Sequence, residues 1–227
     1  MNKINRILPS YFLLIYLIFI LTTALFTLHI SSWGFSTVLI IIASLIFYPF
    51  LQLLPAVLLS QAAVWSLRKS PKAQMAVTSI VTVLAVYIVH LFLLLDAGLY
   101  FRYGYHVNPH VLNIFTTPGG FEGMGMRPNE IAMLGAGIAL LAAIHAGIFL
   151  LFAKIEKLCF FKISSWKTPA ALLPIPVLSF AISYFTYTYS HYTMDSHPLL
   201  AADTIPFYIE GTSSSLYKSL GDRKSVG

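Results

Sequence analysis

The chain has 227 residues, of which 58% are hydrophobic and 10% are charged, and its mean hydropathy is +0.79. Soluble domains carry about 25% charged residues, so this composition excludes a soluble globular fold and predicts a chain that mostly faces lipid. In so apolar a chain, the net charge of +6 indicates topology signals and contacts to anionic headgroups, and we expect no nucleic-acid partner. The single cysteine, Cys159, excludes an internal disulfide.

Two apolar segments near the N-terminus predict transmembrane helices over residues 11–30 and 36–62. The first segment is longer than the apolar core of a signal peptide and has no small-residue cleavage site after it, so we expect it to remain in the protein. Pro49 and Pro55 fall inside the second segment. Neighbouring helices can satisfy the carbonyls that proline frees, which predicts a kinked helix rather than a broken one.

Three later apolar segments predict helices over residues 76–99, 131–153 and 169–189. Asn129 suits the N-cap of the fourth helix, and Glu130 suits its first turn. Small residues recur in that helix at four-residue spacing, which predicts a face for close helix approach: Gly135, Ala139, Ala143 and Gly147.

The five segments together predict an all-α integral membrane fold. Residues 1–190 form its five-helix transmembrane domain, and residues 191–227 form a periplasmic exit segment or a linker to a soluble domain. Nine of the 14 Lys and Arg residues lie at the N-terminus, between the second and third spans, or between the fourth and fifth. The positive-inside rule therefore places the N-terminus inside, and the 99–129 loop and the C-terminal tail outside.

The outer loop holds two arginines beside several tyrosines, a composition typical of the headgroup region. Arg102 can form a structural ion pair with Asp96, or it can meet a lipid phosphate. We expect the ion pair to dominate, because charges near lipid seldom stay unpaired. The lipid hypothesis assigns a headgroup site to Arg102, Arg127, Tyr103, His106 and Asn108.

A metal site is the alternative use of the outer histidines and carboxylates. The weak candidates are His106, His110, Asp195, His197 and Asp203, with Asp96 and Glu122 nearby in the sequence. Pro109 interrupts the helical spacing of the first two histidines, and no second tight pair follows. We therefore predict no metal and no other cofactor in this chain.

Two histidines, His90 and His145, fall inside predicted spans, where ionisable residues are candidates for function. Neither has an acidic or basic partner at similar depth in the sequence, so we expect both to pack within the helix bundle. No nucleophile elbow, zinc-protease motif or nucleotide-binding loop occurs. We therefore assign no catalytic residue.

The stretch from Leu93 to Pro118 resembles a known membrane domain. Its pattern is an apolar helix that ends in an acidic residue, followed by an Arg-aromatic segment and a His-x-Asn-Pro motif, here Asp96, Arg102-Tyr103 and His106-Val107-Asn108-Pro109. The pattern is similar to that of sulfatase-like inner-membrane proteins of the alkaline-phosphatase superfamily, in particular the YejM/PbgA-like proteins. The segment 187–208 resembles the exit segment of that family.

This resemblance implies a multi-pass domain of the bacterial inner (cytoplasmic) membrane that precedes a periplasmic sulfatase-like domain. Relatives hydrolyse or transfer phosphate and sulfate esters. The resemblance implies a divalent metal for this chemistry, bound by the soluble domain. The YejM/PbgA-like type instead binds cardiolipin or lipopolysaccharide. This sequence stops at Gly227 and offers no match to the family's nucleophile or metal ligands, so we expect a fragment or a stand-alone membrane domain.

Three functions follow as expectations. The first is a membrane-anchoring, lipid-binding domain of a sulfatase-like cell-envelope protein, which is not catalytic on its own and docks a periplasmic domain or another envelope protein. The second is the membrane part of a metal-dependent phosphoglycerol or phosphoethanolamine transferase or sulfatase. The third is a small transporter subunit, which would need paired ionisable groups inside the spans.

Overall fold

The computed structural model describes residues 3–117, 127–155, 157, 159 and 173–211. Within these ranges all the regular structure is helical. A 3₁₀ turn at Thr27–His29 follows the first helix. The α-helices are α1 (Lys3–Phe26), α2 (Phe35–Ser66), α3 (Pro71–Tyr103), α4 (Pro109–Thr116), α5 (Pro128–Lys154), α6 (Pro174–Thr193) and α7 (Ser196–Ala202).

Four of these helices are long and apolar enough to cross a bilayer. They are α1 with its 3₁₀ turn, α2, α3 and α5, which have 27, 32, 33 and 27 residues. A bilayer needs about 20 residues of helix, so each helix exceeds that length. The prediction of an all-helical, multi-pass membrane protein is confirmed for the described residues.

The fifth predicted span corresponds to α6, which has 20 residues. It is not among the four, because serine, threonine, tyrosine and histidine side chains make up most of its second half. The predicted start of this span, at 169–172, lies outside the described residues. The five-span count and the orientation stay predictions.

Two helix boundaries differ from the expected ones for local reasons. The third helix continues past residue 99 to Tyr103, because the left-handed residue that ends it is Gly104. Helix α5, which corresponds to the predicted fourth span, has Arg127 as its N-cap, and Asn129 lies in its first turn. The predicted Asn129 cap is therefore wrong: Pro128 takes the first helical position, for which its fixed φ is suited. As expected, α2 runs through Pro49 and Pro55 without a break.

The chain divides into two compact units that share α1 and α2. The first unit contains α1 up to Phe19, α2 from Gln52, and all of α3, α4 and α5. Its core includes Ile15 and Phe19 from α1 and Leu141, His145 and Phe149 from α5. The buried residues of α5 recur every three or four positions, as expected for one helix face.

The small-residue face of α5 lies on its exposed side. The Cβ that an alanine would place at Gly135 or Gly147 meets no atom within 4 Å. The face that packs inside the first unit carries Leu141, His145, Phe149 and Phe152 instead. Large side chains therefore supply the helix contact within the described part of this unit.

The second unit contains α1 from Ile20, α2 up to Leu51, α6 and α7. Its buried core joins α2, α6 and α7 and the turn that follows: Ile40, Ile41, Tyr48, Tyr187, Ala201, Ala202 and Ile205. The rings of Tyr48 and Tyr187 each lie 5.3 Å from the ring of Tyr208. Tyr208 thus fastens the segment after α7 to both long helices.

Candidate functional site

The end of α3 and the turn after it form a polar site of the first unit. Gly104 adopts a left-handed conformation with φ of 76°, and its N–H donates to the carbonyl of Tyr100 at 2.8 Å. This is the conformation that commonly ends helices at glycine. The chain reverses there, and residues 106 and 107 return to the side of α3.

Asp96 receives the returning chain. Its carboxylate accepts a hydrogen bond from the Val107 N–H and lies 2.7 Å from Nδ1 of His106. The carboxylate is only 1% exposed, and a buried carboxylate is stable only when it is paired and hydrogen-bonded. The ring of His106 also stacks on that of Tyr100 at 4.5 Å. Asp96 therefore holds the turn to the helix that precedes it.

Asn108 starts the next helix from this turn. Its side-chain oxygen accepts hydrogen bonds from the N–H groups of His110 and Val111 at 3.0 and 3.1 Å, and Pro109 occupies the first helical position. An Asn cap followed by proline is a strong helix start. The expected loop at 99–129 therefore contains a short helix, α4. Residues 118–126 of this loop, which include Glu122, lie outside the described part.

Arg102 does not pair with Asp96, which corrects the expected ion pair. The two residues are six positions apart on α3, so their side chains point about 120° apart around the helix. Asp96 faces inward, whereas Arg102 is exposed, with its guanidinium 5.7 Å from the ring centre of Tyr103. Because His106 pairs with the Asp96 carboxylate, Arg102 forms no ion pair with it.

Arg127 and Glu130 open α5 at the other end of the same connection. The N–H of Arg127 donates to the Glu130 carboxylate at 2.8 Å, which satisfies one of the free donors at the helix start. The Arg127 side chain is exposed. The connection joins the C-terminal end of α3 to the N-terminal end of α5, and these two helices pack together. Arg102 and Arg127 therefore flank one end of the helix pair.

The weak metal candidates of the second unit have structural contacts. Asp195 caps α7 by accepting from the N–H of His197 at 3.2 Å, and Nδ1 of His197 lies 2.6 Å from the hydroxyl oxygen of Ser32. Asp203 follows the last residue of α7. In the described ranges, no three His, Cys, Asp or Glu side chains come together as a metal site would require. His110, in the first unit, is exposed.

The structure brings His90 and His145 together, which the sequence analysis missed. Nδ1 of His90 lies 2.9 Å from Nε2 of His145, and the His90 ring contacts Phe19 at 4.9 Å. The two histidines are 1–5% exposed. The four-residue spacing of inward polar positions in α3 was the available signal, but nothing in a single sequence pairs residues on two separate helices.

Comparison with known proteins gives no relative from which a role can be transferred. No protein-family model, curated protein or solved structure matches this chain. A functional hypothesis must therefore rest on features of the chain itself. These are the multi-pass helical architecture and two polar clusters of the first unit, at Asp96–His106 and at His90–His145.

Proposed function

We propose that the protein is a membrane-anchoring, lipid-binding domain of a sulfatase-like envelope protein in the bacterial inner membrane, and that it has no catalytic role of its own. The observation that carries the lipid-binding part is the exposed Arg102 beside Tyr103, which has no ion-pair partner among the described residues. The family, the membrane and a partner domain rest on the motif at residues 93–118. The five-span topology, with N-terminus inside and C-terminus outside, belongs to the same proposal.

The proposed ligand is the phosphate of an anionic phospholipid. Arginine matches phosphate geometry with its planar fork of donors, and tyrosine sits readily at headgroup depth. Arg102 and Arg127 supply the positive charge, and Tyr103 supplies the aromatic surface. His106 and Asn108 act indirectly, because their contacts with Asp96 and with the start of α4 hold the turn in place.

The Arg102→Gln variant tests this site. A lost charge-assisted contact costs about 1.5–3 kcal/mol, so we expect roughly tenfold less anionic lipid to co-purify with the variant. Arg102→Lys keeps the charge without the planar fork and should retain an intermediate amount. Lipid content is measured by mass spectrometry after detergent purification.

Arg68→Gln is the matched control. The guanidinium of Arg68 also lies 5.7 Å from an aromatic ring centre, that of Trp65, so the same charge and the same kind of contact are removed elsewhere. We expect this control to keep most of the lipid. Equal losses in both variants would show general charge attraction, and unchanged lipid in Arg102→Gln would remove Arg102 from the site.

A further inference from the structure

The buried face of α3 is polar over much of its length. Gln74, Thr78, Thr82 and His90 are all buried, and their spacing in multiples of four keeps them on one side of the helix. Polar and ionisable side chains inside membrane segments are costly, and they commonly mark the paths of ions and protons.

Neighbouring helices add polar groups to this face. The hydroxyl of Thr82 donates to the hydroxyl oxygen of Ser60 in α2 at 2.8 Å, and Ser60 donates onward to the Ala56 carbonyl at 2.7 Å. Nearer the other end of α3, His90 meets His145 of α5. Three helices of the first unit therefore contribute polar contacts to one buried surface.

Several buried polar atoms of the first unit have no hydrogen-bond partner among the described residues. They are the hydroxyls of Tyr11 and Thr78, both amide heavy atoms of Gln52, and Nδ1 of His145. An unsatisfied buried polar group is costly. Buried water typically removes such a cost by bonding to polar groups, so these atoms point to a hydrated interior.

We propose that the first unit conducts protons along the buried polar face of α3, and that the His90–His145 pair is its proton-binding site. This activity goes beyond lipid binding at Arg102 and is independent of it. Histidine suits the role because its imidazole can accept a proton on one ring nitrogen and release a proton from the other.

The geometry specifies one transfer step. We assign the Nε2–H tautomer to His145, since an unpaired lone pair at buried Nδ1 is less costly than an unpaired N–H. Water delivers a proton to Nδ1 of His145, and the Nε2–H bond of that ring breaks as its proton passes to Nδ1 of His90, 2.9 Å from Nε2. His90 then releases the proton on its own Nε2 to water. One positive charge enters and one leaves. Each ring then carries its proton on Nδ1, and exchange through water, with loss from Nδ1 and uptake on Nε2, restores the starting tautomers.

Among the described residues of this unit, few other titratable groups are buried. The α2 residues from Gln52 onward contribute none. Besides the pair, the described titratable or charged residues of the long helices are Lys3, Arg6, Tyr11 and Tyr16 of α1, Lys72, Tyr87, Asp96, Tyr100, Arg102 and Tyr103 of α3, and Glu130 and Lys154 of α5. The connecting segments and α4 add Arg68, Lys69, Tyr105, His106, His110, Arg127, Lys157 and Cys159. Of all these residues, Tyr11, Asp96 and Cys159 are buried. Asp96 is held by the turn at His106, and the Cys159 thiol donates to the Phe152 carbonyl. Within the described part of the unit, this leaves the histidine pair as the buried base.

Proton flux into liposomes tests the proposal. The 227-residue chain is reconstituted with a trapped pH-sensitive dye, and a valinomycin-clamped potassium gradient drives protons inward. Wild-type vesicles should acidify faster than protein-free vesicles. His90→Gln keeps a hydrogen-bonding side chain but removes the basic ring nitrogen that accepts the proton, so its flux should fall to the protein-free rate.

Ile144→Ala is the matched control, because it changes the exposed neighbour of His145 and should conduct like wild type. A wild-type flux equal to that of protein-free vesicles, or a His90→Gln flux equal to wild type, would overturn the proposal. Should His90→Gln fail to fold, ¹⁵N spectra of the histidines in wild-type bilayers decide. A pair that exchanges protons with water as pH changes supports conduction, and a pair that never does so refutes it.

Discussion

At the scale of single residues, burial decides which charges serve the fold and which remain available to a ligand. Asp96 is almost fully buried and is satisfied by His106 and the Val107 N–H. Arg102, six residues later on the same helix, is exposed. Burial also raises the pKa of the half-buried Tyr208 hydroxyl, which stays neutral and bonds to Ser183. Asp96 and Tyr208 thus hold segments of the chain in place, whereas Arg102 faces the surroundings.

The Asp96→Asn variant should be clearly less stable than wild type. An amide keeps the shape of the carboxylate but loses the charge that strengthens both hydrogen bonds, at a cost of about 2 kcal/mol. The melting temperature in detergent measures the change. Glu130→Gln is the control, because its partly exposed carboxylate also accepts a backbone N–H and should lose well under half as much. Comparable losses of melting temperature in the two variants would mean that burial does not strengthen the contribution of Asp96 to stability.

At the scale of elements, turn chemistry positions the site more than helix propensity does. Gly104 ends α3 in a left-handed conformation, Asp96 fixes the returning chain, and Asn108 with Pro109 starts α4. Each of these residues has one local task. Together they explain why glycine, histidine, asparagine and proline follow one another so closely in this stretch.

Gly104→Ala tests the role of that turn. Alanine at a positive φ costs about 1 kcal/mol, so we expect a lower melting temperature. Gly137→Ala makes the same chemical change inside α5, where the added Cβ meets no atom within 4 Å. There the greater helix propensity of alanine should leave stability unchanged or slightly raised. Shifts of the same sign and size in both variants would contradict the assigned turn.

The contact between Gly211 and α6 gives a second test at this scale. A Cβ at Gly211 would overlap the hydroxyl oxygen of Thr188, and it would lie 3.2 Å from the Tyr184 ring. Gly211→Ala should therefore destabilise the second unit, and adding Thr188→Ala should recover part of the loss by removing the overlapping atom. Purely additive effects in the double variant, measured by thermal unfolding, would show that the two residues do not touch.

At the scale of the whole molecule, hydropathy predicts the long helices but not the contacts that join them. The apolar runs place α1, α2, α3 and α5, because a 20-residue apolar stretch has few alternatives to spanning lipid. The His90–His145 pair was not predictable, since its partners lie on different helices. The partner of Asp96 was mistaken for a similar reason: proximity in sequence suggested Arg102, whereas helix rotation separates them and a chain reversal brings in His106.

Cysteine labelling tests whether α6 is the fifth span. In a Cys159→Ser background, Lys157→Cys and Met194→Cys place exposed thiols before and after that helix. A membrane-impermeant reagent applied to spheroplasts should label residue 194 and leave residue 157 unlabelled. Permeabilised cells, in which both positions should react, provide the control. Labelling of both or neither in intact spheroplasts would contradict a crossing, and the reverse pattern would invert the orientation.

The segment after α7 has a mechanical consequence. The hydroxyl of Tyr208 donates to the Ser183 carbonyl at 3.2 Å, the Ile209 N–H donates to the hydroxyl of Tyr48 at 2.9 Å, and Gly211 lies against Thr188. A force applied to the chain just beyond residue 211 is thus transmitted directly to α6 and α2 through these contacts. A flexible linker of equal length would instead extend under the same force and lose conformational entropy, so little of the force would reach the helices.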